Sequence, residues 1–284
     1  AWFRLLTWVF NRKLARMVAQ EQPDILVAYD TFAADLFAAV GRKSPRTRKV
    51  LDLSAPSAPF MDRVLRDLAQ TAEDPSLRAE IQNERSGFFY KTNLRYTNRE
   101  IASADQFLVA SRFSERSLLE LGVADERIAI CRYGSPALAE SATVHGKENT
   151  RMRVIFVGTC TIRKGIRQFI DLANELGSIF EFVAVGSLDP DSNLPALAPS
   201  IRWTGHVTRD QVYEELRKSD IIFFPSFGDG FGFSALEAMA AANVVVCSSN
   251  AGISDLVVNG YNGLVVETGG YREVVEFIRE LDRD

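Results

Sequence analysis

The sequence predicts an α/β protein built from two open parallel sheets, each covered by helices. Three observations carry this. Short apolar runs such as Ile25–Tyr29, Phe107–Ser111, Val154–Val157 and Ile221–Phe224 recur along the chain, and stretches of helical periodicity lie between them. In the second half these runs are apolar throughout rather than alternating, the pattern of strands buried on both faces. A polar stretch without periodicity, 139–151, separates the halves and reads as a linker between a first domain at 1–138 and a second at 152–284.

Taken in order, residues 1–20 predict a helix with Trp2, Phe3, Leu5, Leu6, Val9, Phe10, Leu14, Met17 and Val18 at helical spacing. Arg4, Arg12, Lys13 and Arg16 make it basic, so it suits either the face of its own sheet, the preferred reading, or peripheral contact with an anionic membrane. Ile25–Tyr29 predicts a short buried strand, 32–40 a helix and Val50–Leu53 the next strand. A loop with two prolines, Ser54–Pro59, leads to helices near 60–72 and 76–103. Strand Phe107–Ser111, helix Ser114–Leu121 and strand Arg127–Cys131 complete the first half. The second half predicts strands at Val154–Val157, Phe182–Val185, Ile201–Trp203, Ile221–Phe224, Val244–Cys247 and Leu264–Val266. Its helices fall near 165–176, 209–218, 231–241, 252–258 and 270–282. Both ends of the chain fall within helical patterns without caps, which reads as a fragment trimmed at each end.

Composition narrows the function classes. The 284 residues are 46% hydrophobic and 25% charged with a net charge of -4, an ordinary soluble make-up without a nucleic-acid footprint. Cys131, Cys160 and Cys247 are scattered and the two histidines, His145 and His206, stand apart from them, so neither a zinc site nor a disulfide framework is expected. A reducing, cytoplasmic setting follows. No apolar run reaches the ~18 residues of a transmembrane helix, and no signal peptide is visible.

The chemistry gathers around Phe223–Met239, which reads as strand, glycine-rich turn and helix. Such a turn leaves backbone N–H groups free at a helix start, where an anion can sit, beyond the carboxyl end of a strand. Gly230, Phe231, Gly232 and Phe233 supply that stretch, and Asp229 lies within it. Glu237 has no basic residue three or four positions away, so it is either an ordinary surface glutamate or a carboxylate aimed at a ligand hydroxyl such as a ribose diol. Arg163 and Lys164 sit between Gly158 and the next helix, against the sign that a helix start favours, and a bound diphosphate would resolve the conflict. Gly186 and Gly205, followed by His206, place further turns on the same sheet edge, with His206 read as a loop residue beside the base without a chemical role.

The spacing of Asp229 and Glu237 resembles the acidic-x7-Glu signature of the retaining glycosyltransferases of family 4, whose fold is GT-B, two Rossmann-like domains facing a cleft. The likeness extends to Ser111, Gly122-Val123 and Tyr133-Gly134 in the first half, and to Lys164 and Asn250–Asp255 in the second. The family's opening glycine-rich strand and loop have no counterpart here, which leaves the N-terminal domain incomplete. The resemblance implies transfer of a hexose, with retention, from a nucleoside diphosphate sugar (UDP or GDP) to a glycan or lipid-linked acceptor, without a metal. Asp229 would face the sugar, Glu237 the ribose, and Lys164 with Arg163 the diphosphate. Three positions depart from the family: Asp229 is more often Glu, Thr159 stands where Arg is usual, and Ala58 aligns with a histidine of an acceptor-domain loop. Ala58 and Asp229 keep a second reading open, a nucleotide-binding partner subunit without turnover. A dehydrogenase would need GxGxxG after the first strand and a serine hydrolase GxSxG, and neither is present. A glycosidase using Asp229 and Glu237 would leave Lys164 unexplained.

Overall fold

A computed structural model describes residues 2–72, 75–86, 88–135, 151–188, 194–268 and 270–281. Most of the expected linker, with His145, lies outside these residues. The chain divides into two compact units, Ala1–Arg132 and Tyr133–Asp284.

The first unit runs α1 (Trp2–Glu21), β1 (Ile25–Tyr29), α2 (Ala33–Lys43), β2 (Arg48–Leu53), α3 (Ala58–Thr71), α4 (Pro75–Ser86), α5 (Phe88–Ser103), β3 (Gln106–Val109), α6 (Arg112–Leu119) and β4 (Ile128–Ile130). Its four strands pair in parallel in the order β1-β2-β3-β4. Phe37, Leu51, Leu53, Phe107, Val109 and Leu118 form its core. The helix expected over 76–103 is described as α4 and α5, and Gly87 between them lies outside the described residues.

Strand β1 is not the buried strand its unbroken apolar run suggests. Ile25, Val27 and Tyr29 are exposed, while Leu26 and Ala28 pack on the helices. The reason is position: β1 pairs only with β2 among the described residues, and one of its faces is covered. Helix α1 packs through Leu14, Ala15 and Val18 onto Leu36 and Val40 of α2. Its Leu6, Trp8, Val9, Phe10 and Met17 are exposed. Glu100 of α5 is fully buried and caps α2 from a distance, accepting from the N–H groups of Thr31 (3.0 Å) and Ala33 (2.8 Å). Burial pushes its carboxyl up to about 7, with neighbouring Asp30 adding to the shift against the backbone donors.

The second unit runs β5 (Arg153–Val157), α7 (Ile166–Leu176), β6 (Glu181–Val185), α8 (Leu194–Leu197), β7 (Ile201–Gly205), α9 (Arg209–Arg217), β8 (Ile221–Phe224), α10 (Phe233–Ala240), β9 (Val244–Ser248), β10 (Gly263–Val266) and α11 (Tyr271–Leu281). Every strand pair is parallel, in the order β10-β9-β8-β5-β6-β7. Counted from β5, this is the doubly wound nucleotide-binding order, and the strand order reverses between β5 and β8. Both strands are buried along their whole length. On one face Val154, Phe156, Phe182 and Phe223 pack against Ile166, Phe169 and Ile170 of α7 and Val274 and Ile278 of α11.

Two helix starts differ from the periodicity in a way that matters for the site. Helix α10 begins at Phe233 rather than 231, because Gly232 takes a φ of 93° that no α-helix accommodates. The helix expected at 252–258 is a 3-10 turn, Gly252–Leu256, too short and polar to propagate.

Candidate functional site

In open parallel sheets, ligands bind where the strand order reverses, outside the carboxyl ends of the strands. Here two loops meet at that point, 158–165 after β5 and 225–232 after β8, and they are tied together along their length. Arg163 is the main tie. Its guanidinium donates from Nη1 to the Gly228 carbonyl (2.8 Å), and its own carbonyl accepts from the Phe227 N–H (2.9 Å) and the Ser226 hydroxyl (3.0 Å). Gly165 lets the loops close: with φ at 79°, a Cβ there would lie 2.3 Å from the Pro225 carbonyl oxygen. Gly186 does the same one strand over, where a Cβ would lie 1.9 Å from the Gly158 carbonyl oxygen. Cys160 and Cys247 are buried nearby in the same unit, and burial pushes their thiols up to about 11 and about 12, so both are inert fillers.

Lys164 and Asp229, 65 residues apart in sequence, form an ion pair through Nζ and Oδ2. Both side chains are largely covered, at 22% and 13% exposure. The Lys164 ammonium also lies 5.5 Å from the centroid of the Phe224 ring. The two cations expected at a helix N-terminus thus sit just before it, in a 3-10 turn at Ile162–Lys164, and each already has a partner. Lys164 is held by a carboxylate and Arg163 by a carbonyl, so no bound anion is needed to balance them.

Asp229 is held by its backbone as well as its charge. Its N–H donates to the Asn250 carbonyl (3.1 Å) and its carbonyl accepts from the Gly252 N–H (3.0 Å). Asn250 also donates from Nδ2 to the Phe227 carbonyl (3.3 Å). The Asn250–Asp255 segment therefore serves as the clamp on this turn. The remaining carboxylate oxygen, Oδ1, accepts from the Phe231 N–H (3.2 Å), an Asx turn. That bond corrects one expectation: the Phe231 N–H is engaged by the protein and is not a free donor for a ligand.

No side chain caps α10 at Gly232. Ser234 in its first turn donates to the Val157 carbonyl at the end of β5 (3.0 Å), which fixes this helix start over the strand reversal. Phe231 is buried, whereas Phe233 is exposed and stacks with Tyr133 at 4.9 Å between ring centroids. Tyr133 meets Phe231 edge-on at 5.4 Å.

Glu237 lies one turn into α10 and is 16% exposed. It is not the partnerless carboxylate that its helical neighbours suggest. Its Oε1 accepts from Arg209 Nη2 (3.1 Å) and from the Tyr213 hydroxyl (3.1 Å), both on α9. Nothing local to Glu237 in sequence signals these residues. The i,i+4 spacing of Arg209 and Tyr213 on α9 is the only trace of their pairing. His206 is exposed in the loop between β7 and α9. Among the described residues, no group of three or more His, Cys, Asp or Glu gathers in a way that could hold a metal.

Comparisons with known proteins bear on the fold and on the second half of the chain. The family described as glycosyl transferases group 1 matches residues 151–284. By sequence, the chain is 26% identical over 220 residues to an uncharacterized glycosyltransferase of Methanocaldococcus jannaschii, covering 72% of this chain and 55% of that protein. It is 29% identical over 135 residues to the N,N'-diacetylbacillosaminyl-diphospho-undecaprenol alpha-1,3-N-acetylgalactosaminyltransferase of Campylobacter jejuni, covering 46% of this chain and 35% of that enzyme. The chain thus spans between about a third and just over half the length of these curated relatives. By structure, it superposes on Anabaena HepE in complex with UDP with a TM-score of 0.69 at 17% identity, covering 96% of this chain and 72% of that one. The chain has the α/β GT-B fold, and its residues 151–284, just under half of its length, match the family of glycosyl transferases of group 1.

Proposed function

We propose that the second unit binds a nucleoside diphosphate sugar where β5 and β8 diverge, and that the protein transfers the hexose, with retention, to a glycan or lipid-linked acceptor. The observation that carries this reading is the meeting of Lys164 and Asp229 at the strand reversal, beside a helix start that no side chain caps. A cation and an open helix N-terminus suit a diphosphate, and a carboxylate beside them suits sugar hydroxyls. Glu237, one turn further along, would accept from the ribose diol. The turns at Gly186, Gly205 and His206 would flank the base. HepE, similar in fold, is known in complex with UDP, which supports UDP as the first diphosphate to try.

In the proposed reaction the acceptor hydroxyl attacks the anomeric carbon on the face that the diphosphate leaves. The bond from that carbon to the diphosphate oxygen breaks, the bond to the acceptor oxygen forms, and the diphosphate takes the acceptor's proton. Lys164, with the α10 N-terminus, would stabilise the charge that develops on the departing phosphate. Arg163 acts at one remove: its guanidinium is spent on Gly228, so its contribution is to hold the two loops in register. Cationic side chains take the part that a metal would play in this reading. The Campylobacter relative is named for a lipid diphosphate substrate. A lipid-linked acceptor would bring this chain to a membrane too, and the exposed Leu6, Trp8, Val9 and Phe10 with Arg12, Lys13 and Arg16 on α1 support such contact.

Thermal unfolding against UDP, GDP, ADP, TDP and phosphate, each with EDTA and then with magnesium, tests the reading. A diphosphate at a hundred times its Kd should stabilise the chain by about 2.7 kcal/mol, independently of EDTA, and the effect should vanish in Lys164→Ala. A folded chain that responds to no nucleotide would overturn the donor-site reading. Nucleotide binding without hydrolysis or transfer by the full-length protein would favour the partner-subunit alternative.

A further inference from the structure

The structure gives Glu237 an apparatus of its own on α9. Arg209 and Tyr213 stand one helical turn apart, and both donate to the same carboxylate oxygen, Oε1, each at 3.1 Å. They also bind each other: Arg209 Nε donates to the Tyr213 oxygen (2.6 Å), and the guanidinium carbon lies 5.3 Å from the centroid of the Tyr213 ring. The start of α9 is itself locked by a capping box. The Thr208 hydroxyl accepts from the Gln211 N–H (3.4 Å), and Gln211 Oε1 accepts from the Thr208 N–H (2.9 Å). Arg209, the residue immediately after that cap, therefore starts from a fixed backbone. The second carboxylate oxygen of Glu237, Oε2, has no hydrogen-bond partner among the described residues.

We infer that Arg209 and Tyr213 are positioning residues: they occupy one oxygen of Glu237 and turn the other toward the vicinal hydroxyls of the donor ribose. This rests on the donor-site reading above and names what makes its ribose contact work. A lone carboxylate on a helix has rotamers to lose on binding. One held by two converging donors has already lost them, and its diol contact forms at smaller entropic cost. The two residues act through Glu237, so their effect should follow the ribose hydroxyls and nothing else on the nucleotide.

That consequence is measurable by calorimetric titration of the whole chain with the diphosphate that binds, UDP or GDP, and with its 2′,3′-dideoxy form. Wild type should bind the ribonucleotide about tenfold more tightly than the dideoxy form, and Glu237→Ala should abolish the difference. Tyr213→Phe and Arg209→Ala should each weaken ribonucleotide binding about three- to tenfold and leave dideoxynucleotide binding unchanged. Arg209→Lys, which keeps the charge but not the fork, should recover part of the loss. Equal losses for both nucleotides would overturn the inference, since they mean a general role in folding or direct contact with another part of the ligand. Undiminished discrimination in both α9 variants would overturn it as well, while leaving Glu237 as the ribose ligand. Discrimination that survives in Glu237→Ala, or a wild type that binds neither nucleotide, would fail earlier and remove the donor-site reading with it.

Discussion

Replacing Asp229 by asparagine should strengthen the binding of the bare diphosphate while crippling sugar transfer. The carboxylate and the proposed phosphate ligand compete for one ammonium group. Lys164 can turn fully to a diphosphate only by giving up Asp229, so part of the binding free energy is spent on breaking the pair. At 22% and 13% side-chain exposure the pair lies between the surface and the interior. Coulomb attraction at ~4 Å with an effective dielectric constant of ~20 is about 4 kcal/mol before desolvation. Exposed pairs net about 0–1 kcal/mol, whereas breaking a buried pair costs about 3–5 kcal/mol. A net of about 1.4 kcal/mol is a reasonable middle, and it corresponds to about tenfold in Kd. Asparagine is the right replacement because it keeps an oxygen to accept the Phe231 N–H, and the backbone bonds to Asn250 and Gly252 do not involve the side chain. Titration calorimetry with the bare diphosphate should show the tenfold gain, and initial rates with the sugar nucleotide should fall at least as far. An unchanged or weaker diphosphate affinity in a folded Asp229→Asn would show that Lys164 is not shared between carboxylate and phosphate.

Gly186→Ala places a Cβ 1.9 Å from the Gly158 carbonyl at a φ of 145°, so urea unfolding should show a loss of at least about 2 kcal/mol; a wild-type midpoint would mean that the β5 and β6 ends separate freely. Arg163→Met keeps the backbone ties to Ser226 and Phe227 but loses the bond to Gly228, and chemical denaturation should report about 1–2 kcal/mol of destabilisation with weaker diphosphate binding. Glu100 gives a pH signature of unusual sign. Its carboxyl is raised from 4.5 to about 7 in the folded chain, so between those values the native state holds the proton that the unfolded state has released, and stability falls as pH rises. Relative to Glu100→Gln, wild type should lose up to about 3 kcal/mol across that window, and parallel stability curves for the two proteins would contradict it.

The sequence by itself determined the class of fold and most of its elements, because those depend on local periodicity. The runs Val154–Val157 of β5 and Ile221–Phe224 of β8 are apolar at every position, and the two strands could be placed within a residue of their ends. It also pointed to the turn where Asp229 meets Lys164, since three glycines and a carboxylate between a strand and a helix are a local pattern. What it could not contain was pairing across distance. Nothing near β1 reveals that Ile25, Val27 and Tyr29 are exposed while Leu26 and Ala28 are covered, since that depends on which distant elements pack on the strand. The two cations before α7 read as an unbalanced charge, yet Lys164 is balanced by Asp229, 65 residues on. Glu237 read as a carboxylate without a partner, and its partners are 28 and 24 residues back on another helix. Periodicity is written by burial against whatever lies alongside, and it survives in one strand or one helix. A charge pair is decided by which elements the strand order brings together, and for Lys164 and Asp229 that was the reversal between β5 and β8.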